Sequence, residues 1–451
     1  MREPALLESG PGFGAAGRWS ILAAEPRLRF TACNRQWGIE SLEERTSRFR
    51  TDPPGRDPLD ALARLLRDFA LADPSEAPDP DAPPFQGGLI GSFGYDLAPW
   101  LERLPRKAPA DSRWPDINFA LYDTAVTIDH QTGRVVLSAY DLLGEGESAL
   151  WRRLERWRGV LERPVEPPPS TIIETPLTSN STRAEYLDAV RRALEYIRAG
   201  DIFQVNLSQR FTAFGRIEPL DLYLRLRRRS PAPFASFLRQ GDLAVVSASP
   251  EWFYQTRGDL IITRPIKGTR PRGRTPEDDA HLAAELRCSP KDRAELTMIV
   301  DLERNDLGRV CRFGTVRVVD PLTVETFAQV HHLVATVEGR LRSGVGPIEI
   351  VRAVFPGGSI TGAPKIRAME IIDELEPTRR SLYTGAIGYF SRGGASAFNI
   401  VIRTLLVEGR RVSYQVGGGI VADSDPEAEY EETLHKGRGL REVIEGWGLG
   451  G

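Results

Sequence analysis

Apolar residues recur along the chain at helical spacing in some segments and at alternate positions in others. Asp57 and Pro58 provide an N-cap and a first-turn proline, which together predict a helix start. Thr182 and Glu185 form a capping box for a second predicted helix, which ends at Gly200. The apolar stripes are Leu59, Leu62, Leu66 and Phe69 for the first helix, Leu187, Val190, Leu194 and Ile197 for the second, and Leu150, Leu154, Trp157 and Leu161 for a third.

A proline-rich segment at residues 163–181 divides the chain. Its prolines cannot continue a helix or a central strand. The segment predicts an N-terminal region at residues 1–165 and a second region at residues 176–451. The prolines concerned are Pro164, Pro167, Pro168, Pro169 and Pro176.

The segment 201–211 alternates as a strand and carries amides on one face. Because successive strand side chains point to opposite sides, Gln204 and Asn206 share a face with Ser208. Amides on a face that would otherwise pack against a core indicate a lined cavity. An edge strand facing water is the alternative.

A lysine and a glutamate carry the main catalytic signal. Lys267 follows an apolar strand and lies between the strand breakers Pro265 and Gly268. In a chain that uses Arg almost everywhere else, a lysine indicates chemistry that needs a neutral amine, although a chance lysine at a loop tip fits the position as well. Glu251 lies among apolar residues, so its carboxylate needs a charged partner or a raised pKa. An acid–base catalyst and a structural ion pair both fit this position. The lysines are Lys107, Lys267, Lys291, Lys365 and Lys436.

Two predicted helices each carry carboxylates three residues apart. Asp292 and Glu295 lie in one, and Glu429 and Glu432 lie in the other, whose end we place near Lys436 and Gly437. Such pairs can hold one Mg²⁺, which prefers oxygen ligands. Acids in a first helical turn also complement the helix dipole without any metal.

Further pieces of the second region favour a small anionic ligand. Of the neighbours His331 and His332 in a strand, one can face a site as an acid or base, although a core histidine fits equally well. The glycine-rich turn 355–365 leads into a helix that is predicted to begin at Pro364. Arg403 follows an apolar strand and can grip a carboxylate, and the glycines 417–419, predicted to end a strand, allow close backbone approach. Together these pieces predict a site for a dicarboxylate.

Composition excludes several classes of protein. The 451 residues carry a net charge of -3, which gives no basic excess for nucleic acid or an anionic membrane. No apolar run reaches the length of a membrane span, and the N-terminus has no secretory signal. The cysteines Cys33, Cys288 and Cys311 are too scattered for a disulfide framework, so we expect a cytoplasmic protein.

In the order in which they occur, the motifs of residues 176–445 resemble those of the chorismate-binding enzymes. The matching segments are 201–207, 249–253, 265–273, 292–308, 331–333, 356–365 and 417–424. The first region, with Leu6-Leu7-Glu8-Ser9 and Gly94-Tyr95-Asp96-Leu97, resembles the N-terminal part of component I subunits. The resemblance implies an α+β fold in which antiparallel sheets pack face to face with helices outside, and in which the two regions share sheets.

The resemblance also separates sister reactions. Lys267 is similar to a lysine of family members that aminate chorismate at carbon 4, whereas members that form anthranilate usually have Ala there. Gln204 stands where isochorismate and salicylate synthases have a lysine base. The implied reaction uses ammonia to form 4-amino-4-deoxychorismate, a precursor of 4-aminobenzoate and folate, through a Lys267 adduct at carbon 2. Anthranilate formation with release of pyruvate is the alternative.

Roles for individual residues follow from the same resemblance. Mg²⁺ is expected on Glu295 and Glu432, supported by Glu429 and Asp292. Glu251 or His332 is expected to protonate the leaving hydroxyl, and Glu251 is favoured because it matches beside the lysine motif. The expected substrate-binding residues are Gln204, Asn206, Thr269, Thr361, Tyr383, Arg403, Gly417, Gly418, Gly419 and Lys436.

Two binding partners besides chorismate are expected. None of the cysteines lies in a glycine-flanked turn, so ammonia is expected from a separate glutamine amidotransferase subunit. The family often carries a tryptophan pocket, which here would lie near Leu7, Glu8 and Ser9 and near residues 231–234, including Pro233.

Overall fold

The structure is a computed structural model of the chain. It describes residues 1–10, 12–34, 36–42, 57–71, 82–327 and 330–446. Within these ranges, no helix is both long enough and apolar enough to cross a membrane.

The described part of the chain contains 23 β-strands. They are β1 Ala5–Glu8, β2 Trp19–Ala23, β3 Leu28–Cys33, β4 Gln36–Ser41, β5 Gly88–Phe93, β6 Ile117–Tyr122, β7 Thr124–Asp129, β8 Arg134–Ala139, β9 Ile172–Ile173, β10 Thr178–Ser179, β11 Gln204–Arg216, β12 Phe234–Gln240, β13 Leu243–Ser249, β14 Trp252–Arg257, β15 Leu260–Arg264, β16 Ile266–Pro271, β17 Arg317–Thr326, β18 Val330–Arg340, β19 Gly362–Ala363, β20 Ala386–Ser391, β21 Ser396–Ile400, β22 Thr404–Glu408 and β23 Arg411–Ile420.

The α-helices lie between these strands. They are α1 Pro58–Asp68, α2 Ala98–Leu101, α3 Glu147–Leu161, α4 Arg183–Arg198, α5 Pro219–Arg229, α6 Pro276–Cys288, α7 Pro290–Gly308, α8 Pro347–Val354, α9 Lys365–Leu375 and α10 Pro426–Glu445. The predicted caps are confirmed, since Asp57 accepts the Leu59 N–H and Thr182 and Glu185 form a reciprocal capping box.

The strands form two antiparallel sheets. The first runs β10-β11-β23-β22-β13-β12-β1-β2-β7-β8, with β9 and β19 also paired to β11. The second runs β16-β18-β15-β14-β21-β20-β5-β6-β3-β4, with β17 also paired to β18. Both sheets contain strands from both regions of the chain, since β1 pairs with β12 and β5 pairs with β20. The prediction that the regions share sheets is therefore confirmed.

The two sheets pack face to face. One buried cluster joins Ile21 and Val245 of the first sheet to Ile90 and Tyr389 of the second. Helices α5 and α10 cover the outer side of the first sheet, whereas α6 and α7 pack on β16 and β18 of the second. The predicted α+β fold of facing antiparallel sheets with helices outside is confirmed.

Three predicted boundaries were wrong. Helix α10 does not end near Gly437 but continues to Glu445, and Gly437 allows it to pack on Tyr414, whose ring carbon lies 3.1 Å from where a Cβ would be. The glycines 417–419 do not end a strand, because they pair with β11 inside β23. Pro364 is the N-cap of α9 and not its first residue.

Candidate active site

A cavity of about 560 Å³ lies where β11, β16, β18 and β23 meet helices α7 and α10. It brings together most of the residues that the sequence singled out. These are Asn206, Glu251, Lys267, Thr269, Asp292, Glu295, His332, Tyr383, Arg403, Gly417, Gly419, Glu429, Glu432 and Lys436. The predicted lined cavity on one face of β11 is therefore present, and the edge strand facing water is excluded because Gln204, Asn206 and Ser208 are buried.

Three predicted residues, Gln204, Thr361 and Gly418, do not line this cavity. Gln204 is fully buried behind Gly419, where an added Cβ would lie 2.7 Å from Gln204 Nε2. The Thr361 hydroxyl donates to Gly357 O at 2.9 Å, and Thr361 O accepts the Asn206 N–H at 2.8 Å. Gly418 lies against the Glu429 carboxylate, 2.9 Å from the position of an added Cβ. All three residues therefore lie behind the residues that line the cavity.

Lys267 enters the cavity from an irregular strand. The pairing of β16 with β18 shifts register between Lys267 and Thr269, where Gly268 adopts φ 78°. An added Cβ at Gly268 would lie 2.8 Å from the Asp292 carboxylate, so both its conformation and its surroundings require glycine. Lys267 Nζ donates to Ser359 O at 3.2 Å. Burial lowers the pKa of Lys267, and the nearby Glu251 charge opposes that shift.

Glu251 lies in the connection between β13 and β14 and is buried. Burial raises the pKa of Glu251, while a hydrogen bond from the Ser359 side chain and the charge of Lys267 act in the other direction. Ser359 therefore touches both groups, through its carbonyl to Lys267 and through its hydroxyl to Glu251. An amine with a lowered pKa next to a carboxyl with a raised pKa can hold and exchange one proton.

The neighbouring histidines point to opposite sides of β18. His332 lines the cavity, and its Nδ1 lies 2.9 Å from Thr269 Oγ1. Burial, followed by the charge of Arg403, lowers the pKa of His332 to about 4, so its imidazole is neutral near pH 7. His331 lies outside the cavity, with Nε2 2.9 Å from Asp279 Oδ1.

The four predicted acids line the side of the cavity formed by α7 and α10. Three have cationic neighbours, since Asp292 lies 3.1 Å from Arg270, Glu295 lies 4.0 Å from Lys291, and Glu432 lies 2.6 Å from Lys436. Burial raises the pKa of both Glu295 and Glu429.

Glu429 differs from the other three acids. Its Oε1 accepts from the Ser424 hydroxyl at 2.6 Å, whereas its buried Oε2 has no hydrogen-bond partner in the described chain. Within the same residues, no three acidic, histidine or cysteine side chains converge tightly enough to surround an ion. The unpartnered Oε2 of Glu429 is thus the feature that suits an oxygen-liganded cation, whose other ligands would have to include water or a bound carboxylate.

Arg403 and a glycine backbone form another part of the wall. Arg403 has a left-handed backbone with φ 49°, and its guanidinium makes no hydrogen bond or ion pair with the described residues. Burial lowers the pKa of Arg403. An added Cβ at Gly417 would lie 2.3 Å from Leu207 O, so only glycine fits this wall. An unpaired guanidinium beside bare backbone is suited to binding a carboxylate.

Five polar residues that also line the cavity had no role predicted from the sequence, namely Arg270, Ser289, Lys291, Ser359 and Gln415. Ser359 lies inside the glycine-rich turn that was singled out, and Gln415 lies two residues before Gly417 on the same face of β23. The alternation of that strand could have identified Gln415. No comparable signal marks Arg270 or Lys291.

The chain is similar to known proteins along nearly its whole length. The family described as chorismate binding enzyme matches residues 23–442. The chain is 43% identical to aminodeoxychorismate synthase component 1 of Salmonella typhimurium, over 96% of this chain and 90% of the relative. It is 45% identical to anthranilate synthase component 1 of Thermus thermophilus, over 98% of this chain and 92% of the relative.

Among solved structures, anthranilate synthase component I from Streptococcus pneumoniae superposes with a TM-score of 0.82. The identity is 32%, and the match covers 96% of this chain and 93% of the other. The family match covers the second sheet, the first sheet apart from β1 and most of β2, and every residue that lines the cavity. The chain therefore belongs to the family of chorismate-binding enzymes.

Proposed function

We propose that the protein aminates chorismate at carbon 4 to give 4-amino-4-deoxychorismate, as component 1 of an aminodeoxychorismate synthase. One observation carries this assignment. The cavity holds a lysine amine, Lys267, whose pKa is lowered by burial and which lies beside the protonatable Glu251. Relatives with 42% to 44% identity bear that name. The product would serve the synthesis of 4-aminobenzoate and folate.

Substrate binding uses the two anionic ends of chorismate. Arg403, with no partner in the described protein, would hold the pyruvyl carboxylate together with Tyr383 and the backbone of Gly417 and Gly419. Glu295 and Glu432, with Glu429 and Asp292, would hold Mg²⁺. When bound, the ion would neutralise the ring carboxylate.

Lys267 would begin the reaction as a neutral amine. Its nitrogen forms a bond to carbon 2, the ring double bonds shift, and the bond between carbon 4 and its hydroxyl oxygen breaks. Glu251 gives its proton to that hydroxyl, which leaves as water. Ammonia then bonds to carbon 4, the double bonds shift back, and the bond from Lys267 to carbon 2 breaks. The added nitrogen loses one proton to Glu251, so the enzyme returns to its starting state.

Glu251 is preferred over His332 as the proton donor. Burial raises the pKa of Glu251, which favours the protonated carboxyl that a proton donor needs. His332 has a pKa of about 4 and is therefore a neutral imidazole near neutral pH. His332 would instead orient the substrate together with Thr269.

Ammonia would come from a glutamine amidotransferase subunit, which the name "component 1" of the relatives implies for those proteins. A further cavity of about 130 Å³ is lined by Leu7, Glu8, Ser9, Pro233 and Trp252, among others. We propose that it binds tryptophan. Calorimetric titration with tryptophan tests this, and no heat of binding would reject it.

A product assay tests the function. Purified protein is incubated with chorismate, Mg²⁺ and an ammonium salt, and the products are separated by chromatography. We expect an aminated ring that keeps its pyruvyl group and gives 4-aminobenzoate when a lyase is added. Fluorescent anthranilate with free pyruvate would instead support the second candidate, anthranilate synthase. The 45% identity to the Thermus thermophilus anthranilate synthase component 1 favours this alternative.

A further inference from the structure

The inner face of the first sheet stays polar beyond the wall of the large cavity. In β23, Ser413 and Gln415 lie on the same face as Gly417. On the neighbouring strand β11, Ser208 pairs with Gly417 and Arg210 pairs with Gln415. All four side chains are buried. Apolar residues would normally fill such a layer between two sheets, so these polar groups need a reason other than packing.

A second cavity, of about 30 Å³, lies along this polar layer. It shares Tyr383 and Gln415 with the large cavity. Its other walls include Ser112, Arg210 and Ser413. The volume is enough for one molecule the size of water or ammonia.

A chain of hydrogen bonds fixes the orientation of the Gln415 amide. Arg380 grips Glu376 through two nitrogens, at 2.7 and 2.9 Å, so the Glu376 carboxylate can only accept hydrogen bonds. The Ser208 hydroxyl lies 2.6 Å from Glu376 Oε1 and must give it its single hydrogen. Ser208 Oγ can then only accept from Gln415, whose Nε2 lies 2.8 Å away. Gln415 Oε1 is therefore turned away from Ser208.

The free oxygen of Gln415 has no donor in the part of the chain that the structure describes. Gln415 is 4% exposed, and its Oε1 has no hydrogen-bond partner among the described residues. A buried carbonyl oxygen without a donor is costly, so a ligand with an N–H or O–H group is expected there. Arg210 and Arg380 line the small cavity together with Glu408, and each arginine is also paired with a further carboxylate, Asp111 and Glu376 respectively.

We propose that Gln415 Oε1 binds the ammonia that attacks chorismate, in a site between the large cavity and the small one. Ammonia donates to the amide oxygen through one N–H and keeps its lone pair free for the substrate. Ser208, Glu376 and Arg380 are positioning residues, because they orient the amide without lining the large cavity. The inference rests on the proposed function only in requiring that ammonia be a substrate.

Steady-state kinetics with varied ammonium salt test the site. Gln415→Met keeps the shape of the side chain and removes the acceptor, so we expect the KM for ammonia to rise roughly tenfold, with the KM for chorismate within about twofold. Ser208→Ala removes only the group that orients the amide and should raise the KM for ammonia by a smaller factor. It also tests the site if Gln415→Met fails to fold.

Gln209→Met is the matched control. Gln209 is equally buried on the opposite face of β11, where it donates to Thr433 at 2.7 Å and accepts from Ser179 at 2.8 Å. This variant should lower thermal stability and leave the KM for ammonia unchanged.

Each other outcome is decisive. An unchanged KM for ammonia in a folded Gln415→Met enzyme would show that the oxygen holds a structural water and would overturn the proposal. A rise in the chorismate KM alone would assign Gln415 to chorismate and would also overturn it. Rates are measured as the ammonia-dependent loss of chorismate, which occurs both in amination at carbon 4 and in anthranilate formation. An enzyme that makes anthranilate would therefore still test the ammonia site, even though the proposed function had failed.

Discussion

Replacing Lys267 separates a covalent role from an electrostatic one. Lys267→Ala removes the amine that donates to Ser359 O at 3.2 Å and leaves the buried Glu251 without its neighbouring amine. Lys267→Arg keeps a positive charge at the same place. Arg cannot become a neutral amine in a protein, so it can replace the charge but not the nucleophile. If only the charge of Lys267 matters, Lys267→Arg should stay active and Lys267→Ala should not. If Lys267 is the nucleophile, both variants should be inactive.

The expected loss is large for both variants. Removing a covalent nucleophile costs on the order of a thousandfold or more in kcat, which corresponds to about 4 kcal/mol of transition-state stabilisation. A purely electrostatic lysine replaced by arginine should cost roughly tenfold or less. Lys365→Met is the matched control, because Lys365 is also half-buried but pairs with Asp306 at 2.6 Å outside the cavity.

The assay measures 4-amino-4-deoxychorismate formed from chorismate and ammonia, with intact-mass spectrometry to detect a trapped adduct on Lys267. We expect both Lys267 variants to lose amination while they still bind chorismate. Amination by Lys267→Arg at more than a tenth of the wild-type rate would refute the covalent mechanism. It would leave Lys267 as a charge that binds substrate.

The same lysine predicts a pH dependence of stability. The pKa of Lys267 is lowered in the folded state, so the unfolded chain binds more protons between that lowered value and the ordinary value of 10.5. The contribution of Lys267 to folding stability therefore rises with pH across this window. Denaturant unfolding at a series of pH values should show that rise for wild type, reduced in Lys267→Ala, and equal slopes would contradict the assigned shift.

Three further substitutions test the remaining walls of the cavity. Arg403→Ala should raise the KM for chorismate by roughly 10- to 100-fold, because a charge-assisted pair with a carboxylate is lost. An unchanged KM would show that Arg403 does not bind a chorismate carboxylate. Glu429→Gln should raise the Mg²⁺ concentration needed for half-maximal activity by about tenfold, which a Mg²⁺ titration measures, whereas an unchanged requirement would place the ion elsewhere. His332→Asn should keep kcat within about tenfold and leave the pH profile near neutrality unmoved, since His332 has a pKa of about 4. Loss of the alkaline limb of that profile would make His332 the proton donor in place of Glu251, because a general acid acts in its protonated form.

Much of this protein could be predicted from local sequence. The capping box of Thr182 and Glu185 and the N-cap of Asp57 were correct, because caps depend on residues that are adjacent in the chain. The alternation of Gln204, Asn206 and Ser208 correctly indicated a polar face. Lys267 was singled out because lysine is rare in an arginine-rich chain and the strand breaks beside it.

Errors arose where a distant contact overrides a local signal. Gly437 was predicted to end a helix, but it lies inside α10, where its missing side chain lets the helix pack closely on Tyr414. Glycines 417–419 read as a strand end, but pairing with β11 continues the strand through them. Gln204 read as a cavity residue, but Gly419 lies between it and the cavity.

The sequence by itself determined the facing antiparallel sheets, through the family motifs, and the residue types that the site would contain. Only the tertiary structure decided which of those groups lie close together and which lack a partner. The lowered pKa of Lys267, the raised pKa of Glu251 and the free oxygen of Gln415 all depend on burial by strands and helices far apart in the chain. Desolvation and hydrogen bonding act over a few ångströms in space, and no local pattern of residues records which distant segments come that close.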